Sequence, residues 1–196
     1  MLDEGEAIVA GAVRSKYGSL VHSEIEPREV SDGNYLREFS NLNVALDRQV
    51  FDSIGSFDEQ LGFAEDVDLA WRATDAGLAI RFASSALIDP DWGSFRDDLS
   101  RALRYGVGQV RLYRKHRARR RSLFHDELFL VVYSSYLLLS PIALVFPAYL
   151  MILVIPLVLN PRRHPFPTVL YQFVMSAGIL SELFHIPLLR SQRREH

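Results

Sequence analysis

Apolar positions along this chain keep three different rhythms. From Ala7 to Arg14, AIVAGAVR, they run almost unbroken, the pattern of a strand buried on both faces. A polar stretch from Ser15 to Arg37 has no period and reads as a loop. DRQVFDSI, Asp47 to Ile54, predicts a short helix with Asp47 as N-cap and Gly55 as its C-terminal stop. The turn SFDEQLGFA follows. From Glu65 the rhythm is helical, with Val67, Ala70, Trp71 and Thr74 at i, i+3, i+4 and i+7 and Gly77 as the stop. Leu78 to Ile88 is a second strand. Phe95 to His116 is an amphipathic helix with Leu99, Leu103, Val107 and Val110 on one face, suited to lying in a membrane interface.

The last third is different. Leu128 to Leu159 holds 32 residues without a charge. As one helix it would reach about 48 Å, against a hydrocarbon core of about 30 Å. Pro141, Pro147 and Pro156 offer breaks, so a hairpin, a kinked span and a re-entrant pair are all open. A second apolar stretch, Phe166 to Leu189, carries Glu182 and His185, three residues apart and expected to meet on one helix face. A polar lining for a lipid-linked substrate is the alternative. Basic clusters flank these stretches at Arg114–Arg121, Asn160–Pro165 and the C-terminus, which puts the neighbouring polar half on the cytoplasmic side of a cell membrane crossed more than once.

Charge sharpens the division. Residues 1–100 hold 8 Lys/Arg and 20 Asp/Glu, a net −12, and residues 101–196 hold 14 and 4, a net +10. The basic half lacks interleaved stacking aromatics, so no nucleic-acid partner is expected. With no cysteine there is neither a disulfide framework nor thiolate chemistry. The N-terminus has no positively charged lead into an apolar run, so no cleavable secretory signal is expected.

Candidate chemistry gathers in GFAEDVDLAWR, Gly62 to Arg72, where Glu65, Asp66 and Asp68 crowd into four positions. The helix macrodipole favours acids in a first turn by roughly 0.3–1 kcal/mol each. Asp68 also stands four residues before Arg72, the spacing of a helical ion pair. Glu65 and Asp66 are less well explained, since adjacent carboxylates repel, and they are candidates for a site. Two strands do not make a self-sufficient sheet, so the α/β half is expected to be only part of a fold.

Asn41 to Ile88 resembles the second half of a family 2 glycosyltransferase catalytic domain. Asn43, Arg48, Phe51, the Gly55–Phe57–Asp58–Glu59 turn, Glu65–Asp66, Asp68–Leu69, Trp71–Arg72 and Gly77 follow the family pattern in order. The resemblance implies a partial GT-A-like α/β domain over residues 1–95, a basic amphipathic interface helix over 96–125 and transmembrane helices over 126–196. It implies transfer of a sugar, with inversion, from a nucleotide-sugar donor to an acceptor hydroxyl at a membrane. Asp66 then matches the general base, with Glu65 beside it tuning it or binding acceptor. Asn43 and Arg48 are candidates for contact with the donor phosphates. The family's metal-binding Asp-x-Asp belongs to a nucleotide-binding half that would lie before Met1, and a separate donor-binding chain is one way to supply it. Mg²⁺ or Mn²⁺ is the implied cofactor. Asp89 and Asp91 stand where many members place a metal-ligating His, and are candidate oxygen ligands. The Gln-x-x-Arg-Trp signature of processive synthases is absent, Gln109 being followed by VRLY, so single addition is expected. The alternative is a non-catalytic, membrane-anchored module that docks onto a partner glycosyltransferase.

Overall fold

Strand β1, Ile8–Arg14, pairs with neighbours on both sides, and it organises the N-terminal half. β2, Glu24–Ile25, and β4, Val44–Leu46, pair with it antiparallel at its two ends. On its other side β5, Ile80–Ile88, runs parallel, and β3, Tyr35–Leu36, closes that edge antiparallel to β5. The computed structural model describes residues 5–14, 24–25, 35–125, 127–153 and 165–186. It divides into two compact units, 1–93 and 94–196.

The two long apolar runs of the first unit are thus strands, as their pattern predicts, but among the described residues the sheet has five members rather than two. Two of the three extra strands come from the stretch read as loop. Being two or three residues long, they carry no rhythm of their own and take their conformation from β1 and β5. Helix α1, Arg48–Ile54, is capped by the Asp47 carboxylate, which accepts from the Gln49 amide at 2.8 Å, and stops at Gly55 with φ 80°. Helix α2 spans Glu65–Asp75. It buries Leu69, Ala70 and Ala73 against Ile8, Ala10, Val50 and Ile80. Val67 and Thr74, expected on the core face, are only half-buried. Trp71 is buried and reaches aside to give its indole N–H to Glu38 at 2.9 Å.

Parallel pairing of β1 with β5 slips between Gly11 and Ala12, where β5 jumps from Ala83 to Leu87. Asn43 fills that irregularity. Its side-chain amide donates to the carbonyls of Ala12 at 2.9 Å and Ala86 at 2.8 Å. Gly11 leaves room for it, since a Cβ there would lie 2.2 Å from the Asn43 amide nitrogen. Replacing Asn43 by Ala leaves two strand carbonyls without that donor, and a loss of about 1–3 kcal/mol in urea unfolding is expected.

In the second unit α3, Phe95–Lys115, opens on a capping box: Ser94 and Asp97 each bond the other's backbone. It packs along α5, Pro165–Leu183, and of the apolar face Val107 is buried while Leu99, Leu103 and Val110 are half-buried. The two helices meet at glycines. A Cβ on Gly106 would lie 2.1 Å from the Met175 carbonyl, and one on Gly178 2.2 Å from the Leu103 carbonyl. Arg111 spans the same junction, bonding both Glu182 oxygens at 3.1 and 3.2 Å, with Arg114 adding a contact at 3.4 Å. Glu182 is therefore committed to α3 and not to His185, which lies beyond the end of α5 and is exposed.

The expected transmembrane segments are corrected by this unit. Among the described residues no helix is long and apolar enough to cross a membrane. The uncharged stretch supplies α4, Leu128–Leu138, eleven residues or about 16 Å, and then breaks into 3-10 turns at Ser140–Leu144 and Pro147–Leu153. Pro141 and Pro147 sit at those breaks, where they remove helical N–H donors. α5 is longer, but Gln172, Ser176, Ser181 and Glu182 dilute its apolar content. The turns fold back on α4. Tyr149 stacks on Tyr136 with ring centroids 4.6 Å apart and donates to the Tyr136 carbonyl at 2.8 Å. The expected break at Pro156 and the basic clusters at 160–165 and 189–196 lie wholly or largely outside the described residues.

Burial in this unit raises the Tyr171 phenol far above its ordinary value, and Tyr133 and Tyr136 are raised for the same reason. A folded-state value above the unfolded one means the contribution to stability is whole below pH of about 10 and declines above it, where only the unfolded chain ionises. Tyr171→Phe is expected to flatten that alkaline decline, read from unfolding midpoints by circular dichroism between pH 8 and 11.

Candidate functional site

Glu65 and Asp66 open α2 from an unusual residue. Ala64, at the N-cap, is buried and left-handed at φ 65°, a conformation that a residue with a Cβ seldom adopts. It offers no side-chain cap, so the first turn depends on its acids. Asp68 is fully buried and paired with Arg72 at 2.9 Å, as the spacing predicts. The same guanidinium donates to the carbonyls of Ser56 at 2.8 Å, Gly55 at 3.4 Å and Ile54. Arg72 thereby ties α2 to the end of α1 and to the turn that follows.

That turn is one wall of a cavity of about 600 Å³. Phe57, Asp58, Glu59 and Gly62 line it from the turn, and Val44 and Leu46 from β4. Asn41 and Glu65 complete the lining. Phe57 is braced by Phe51 of α1, ring centroids 6.0 Å apart, and Asp58 accepts from the Gln60 amide at 3.1 Å, the turn role its position suggests.

Asp66 is half-buried beside this hollow and does not line it. One of its oxygens accepts the Asn41 backbone N–H at 3.1 Å and the other the Val67 N–H at 2.8 Å. The Asn41 side-chain amide lies 3.4 Å from a Glu65 oxygen. Asn41 thus holds both carboxylates from a loop 24 and 25 residues away. Sequence reasoning missed it. The only hint is its place in the motif NLN, two positions before Asn43.

The other candidates lie elsewhere. Asn43 sits in the sheet irregularity with its amide given to two strands. Arg48 is exposed on the first turn of α1 and is not part of the cavity lining. Asp89 and Asp91 are exposed beyond β5, and Asp91 accepts from the Gly93 amide at 2.8 Å in a local turn. Among the described residues no three His, Asp or Glu side chains gather as a metal would require. Asp89 and Asp91 belong to no such group. What the hollow offers is the Glu65 carboxylate, two further acids in its lining, Asp58 and Glu59, and apolar wall from Val44, Leu46 and Phe57. Such a set suits hydrogen bonding to hydroxyl groups and acceptance of a proton from one of them.

Comparison with known proteins agrees in direction. A family model described as glycosyl transferase family group 2 matches residues 38–162. A segment of 64 residues, 32% of this chain, is 38% identical to pre-mycofactocin glycosyltransferase from two strains of Mycobacterium tuberculosis, CDC 1551 / Oshkosh and ATCC 25618 / H37Rv. The match spans 14% of those relatives' length. No solved structure matches the chain.

Proposed function

The chain belongs to glycosyl transferase family group 2, and from that premise we propose that it transfers a sugar from a nucleotide-sugar donor to an acceptor hydroxyl, with inversion. The observation that carries this reading is the adjacent pair Glu65 and Asp66, both held by Asn41, with Glu65 in the lining of a cavity. The acceptor hydroxyl attacks the anomeric carbon as the bond to the diphosphate breaks. Its proton passes to a carboxylate, and the nucleoside diphosphate leaves. Asp66 takes the proton and Glu65 holds the acceptor. A specific observation favours a second assignment within the same chemistry: Glu65, and not Asp66, lines the hollow, which makes Glu65 the base and Asp66 its anchor.

We place this activity at a membrane surface. Val145 and Leu144, 89% and 88% exposed, stand on the turns after α4, in the same unit as the basic run Arg117–Arg121. Exposed apolar residues and guanidinium groups in one unit suit an anionic lipid surface.

The test is release of nucleoside diphosphate from a panel of nucleotide sugars. It is run with the full chain alone and with an extract of its native cells lacking the chain. Release that needs the chain, with a product of opposite anomeric configuration by NMR, is expected. No chain-dependent release in either arm would overturn the reading.

A further inference from the structure

A second hollow, of about 500 Å³, opens within the second unit between α3, α4 and α5. We propose that it holds one acyl chain of an anionic lipid. Its floor is apolar, with Val110 from α3, Val131 and Leu138 from α4, and Ile179 and Leu183 from α5. Well-packed helices normally close such a trough, and its volume is within the range of about 300–1,000 Å³ found for sites that take small amphiphiles.

Two charged residues line it, and both are cationic: Arg114 and Arg120. Arg114 shares its carboxylate partner, Glu182, with Arg111. Arg120 spends its Nε–H on the Tyr113 carbonyl at 2.9 Å, and among the described residues no carboxylate pairs with it. An anionic headgroup supplies what this rim lacks, since guanidinium forks bind carboxylate and phosphate oxygens well. The Ser134 hydroxyl, also in the lining, is buried without a hydrogen-bond partner. An ester or acid oxygen near the head of the chain gives it one.

Other occupants fit less well. A nucleotide needs polar partners along its base and ribose, and this floor has few. A peptide brings backbone N–H and C=O groups that the apolar lining leaves unmatched. A hydrocarbon chain asks for none. The site is separate from the Glu65–Asp66 hollow and does not depend on sugar transfer.

The test uses the purified full chain and the fluorescent fatty acid cis-parinarate. Bound probe is displaced with oleoyl lysophosphatidate or, separately, with neutral monooleoylglycerol. Lysophosphatidate is expected to compete at concentrations lower by about tenfold, and Arg114→Gln with Arg120→Gln to erase that preference. Val131→Trp, or Ser134→Phe if the first does not fold by circular dichroism, is expected to weaken parinarate binding by about tenfold or more. Equal competition by the neutral lipid in the wild type would overturn the proposal, as would unchanged binding in a folded filling variant. A diazirine-bearing palmitate adds a measurement on unaltered protein. Label in peptides of α3, α4 or α5 supports the site, and label confined to residues 1–93 overturns it.

Discussion

Replacing Asp66 by Asn is expected to cut sugar transfer by about 10²- to 10⁴-fold, the usual worth of a positioned general base. The substitution is nearly isosteric, and its carbonyl oxygen still accepts the Asn41 N–H, so the loop and the helix start keep their places. Because Asp66 is outside the cavity lining, KM for donor and acceptor should move little. Glu65→Gln is the companion measurement. With Asp66 as base, it raises the acceptor KM and leaves most of kcat. With Glu65 as base, the large kcat loss moves to Glu65→Gln. Steady-state kinetics of the two variants separate the assignments. If neither lost more than a few fold, the carboxylate pair would not be the catalytic group.

The second large effect is structural. Asp68→Ala is expected to destabilise the first unit by about 3–5 kcal/mol, since it strips a buried guanidinium of its counter-charge. The lower end is the better figure, because Arg72 is 20% exposed and water reaches part of it. For a unit of this size that lowers Tm by about 10 °C or more in calorimetry. Arg72 also holds the carbonyls of Gly55 and Ser56, so the turn that carries Phe57 to Glu59 should loosen together with α2. In Asp68→Ala/Arg72→Met the orphaned charge is gone. It should recover part of the stability, and a double-mutant cycle gives the coupling directly. A single Asp68→Ala costing under about 1 kcal/mol would show that the pair is not a structural anchor.

What was legible in the sequence was local. Asp47 and Gly55 mark the ends of α1 because caps act over two or three residues. The acids at the start of α2 and the Asp68–Arg72 pair follow from helical spacing alone. What could not be read depends on distant neighbours. β2, β3 and β4 are too short to have a rhythm and exist through their pairing with β1 and β5. Asn41 was invisible because its hold on Asp66 runs through a backbone N–H, which every residue but proline has. Asn43 drew notice as a motif residue, yet its partners are carbonyls 31 and 43 positions away. The membrane-spanning reading failed on an ambiguity of composition. A run without charges satisfies a lipid core and a helical cluster equally. Tyr136, Tyr149 and Phe173 use that apolar material to pack on one another, with Tyr136–Phe173 centroids 5.7 Å apart.

The Asn43 bridge bears on how the first unit assembles. One side chain is bonded at once to the strand before it and the strand after it, and the Gly11 amide in turn bonds the Asn43 carbonyl at 2.9 Å. The link to Ala86 forms only once β5 has docked beside β1, so the junction is complete only with both strands in place. Chain closure must bring Ile8 to Ile80 across nearly the whole unit before the register locks. Protection of the amides in β1 and β5 should therefore be gained and lost together, as one cooperative block, in hydrogen exchange.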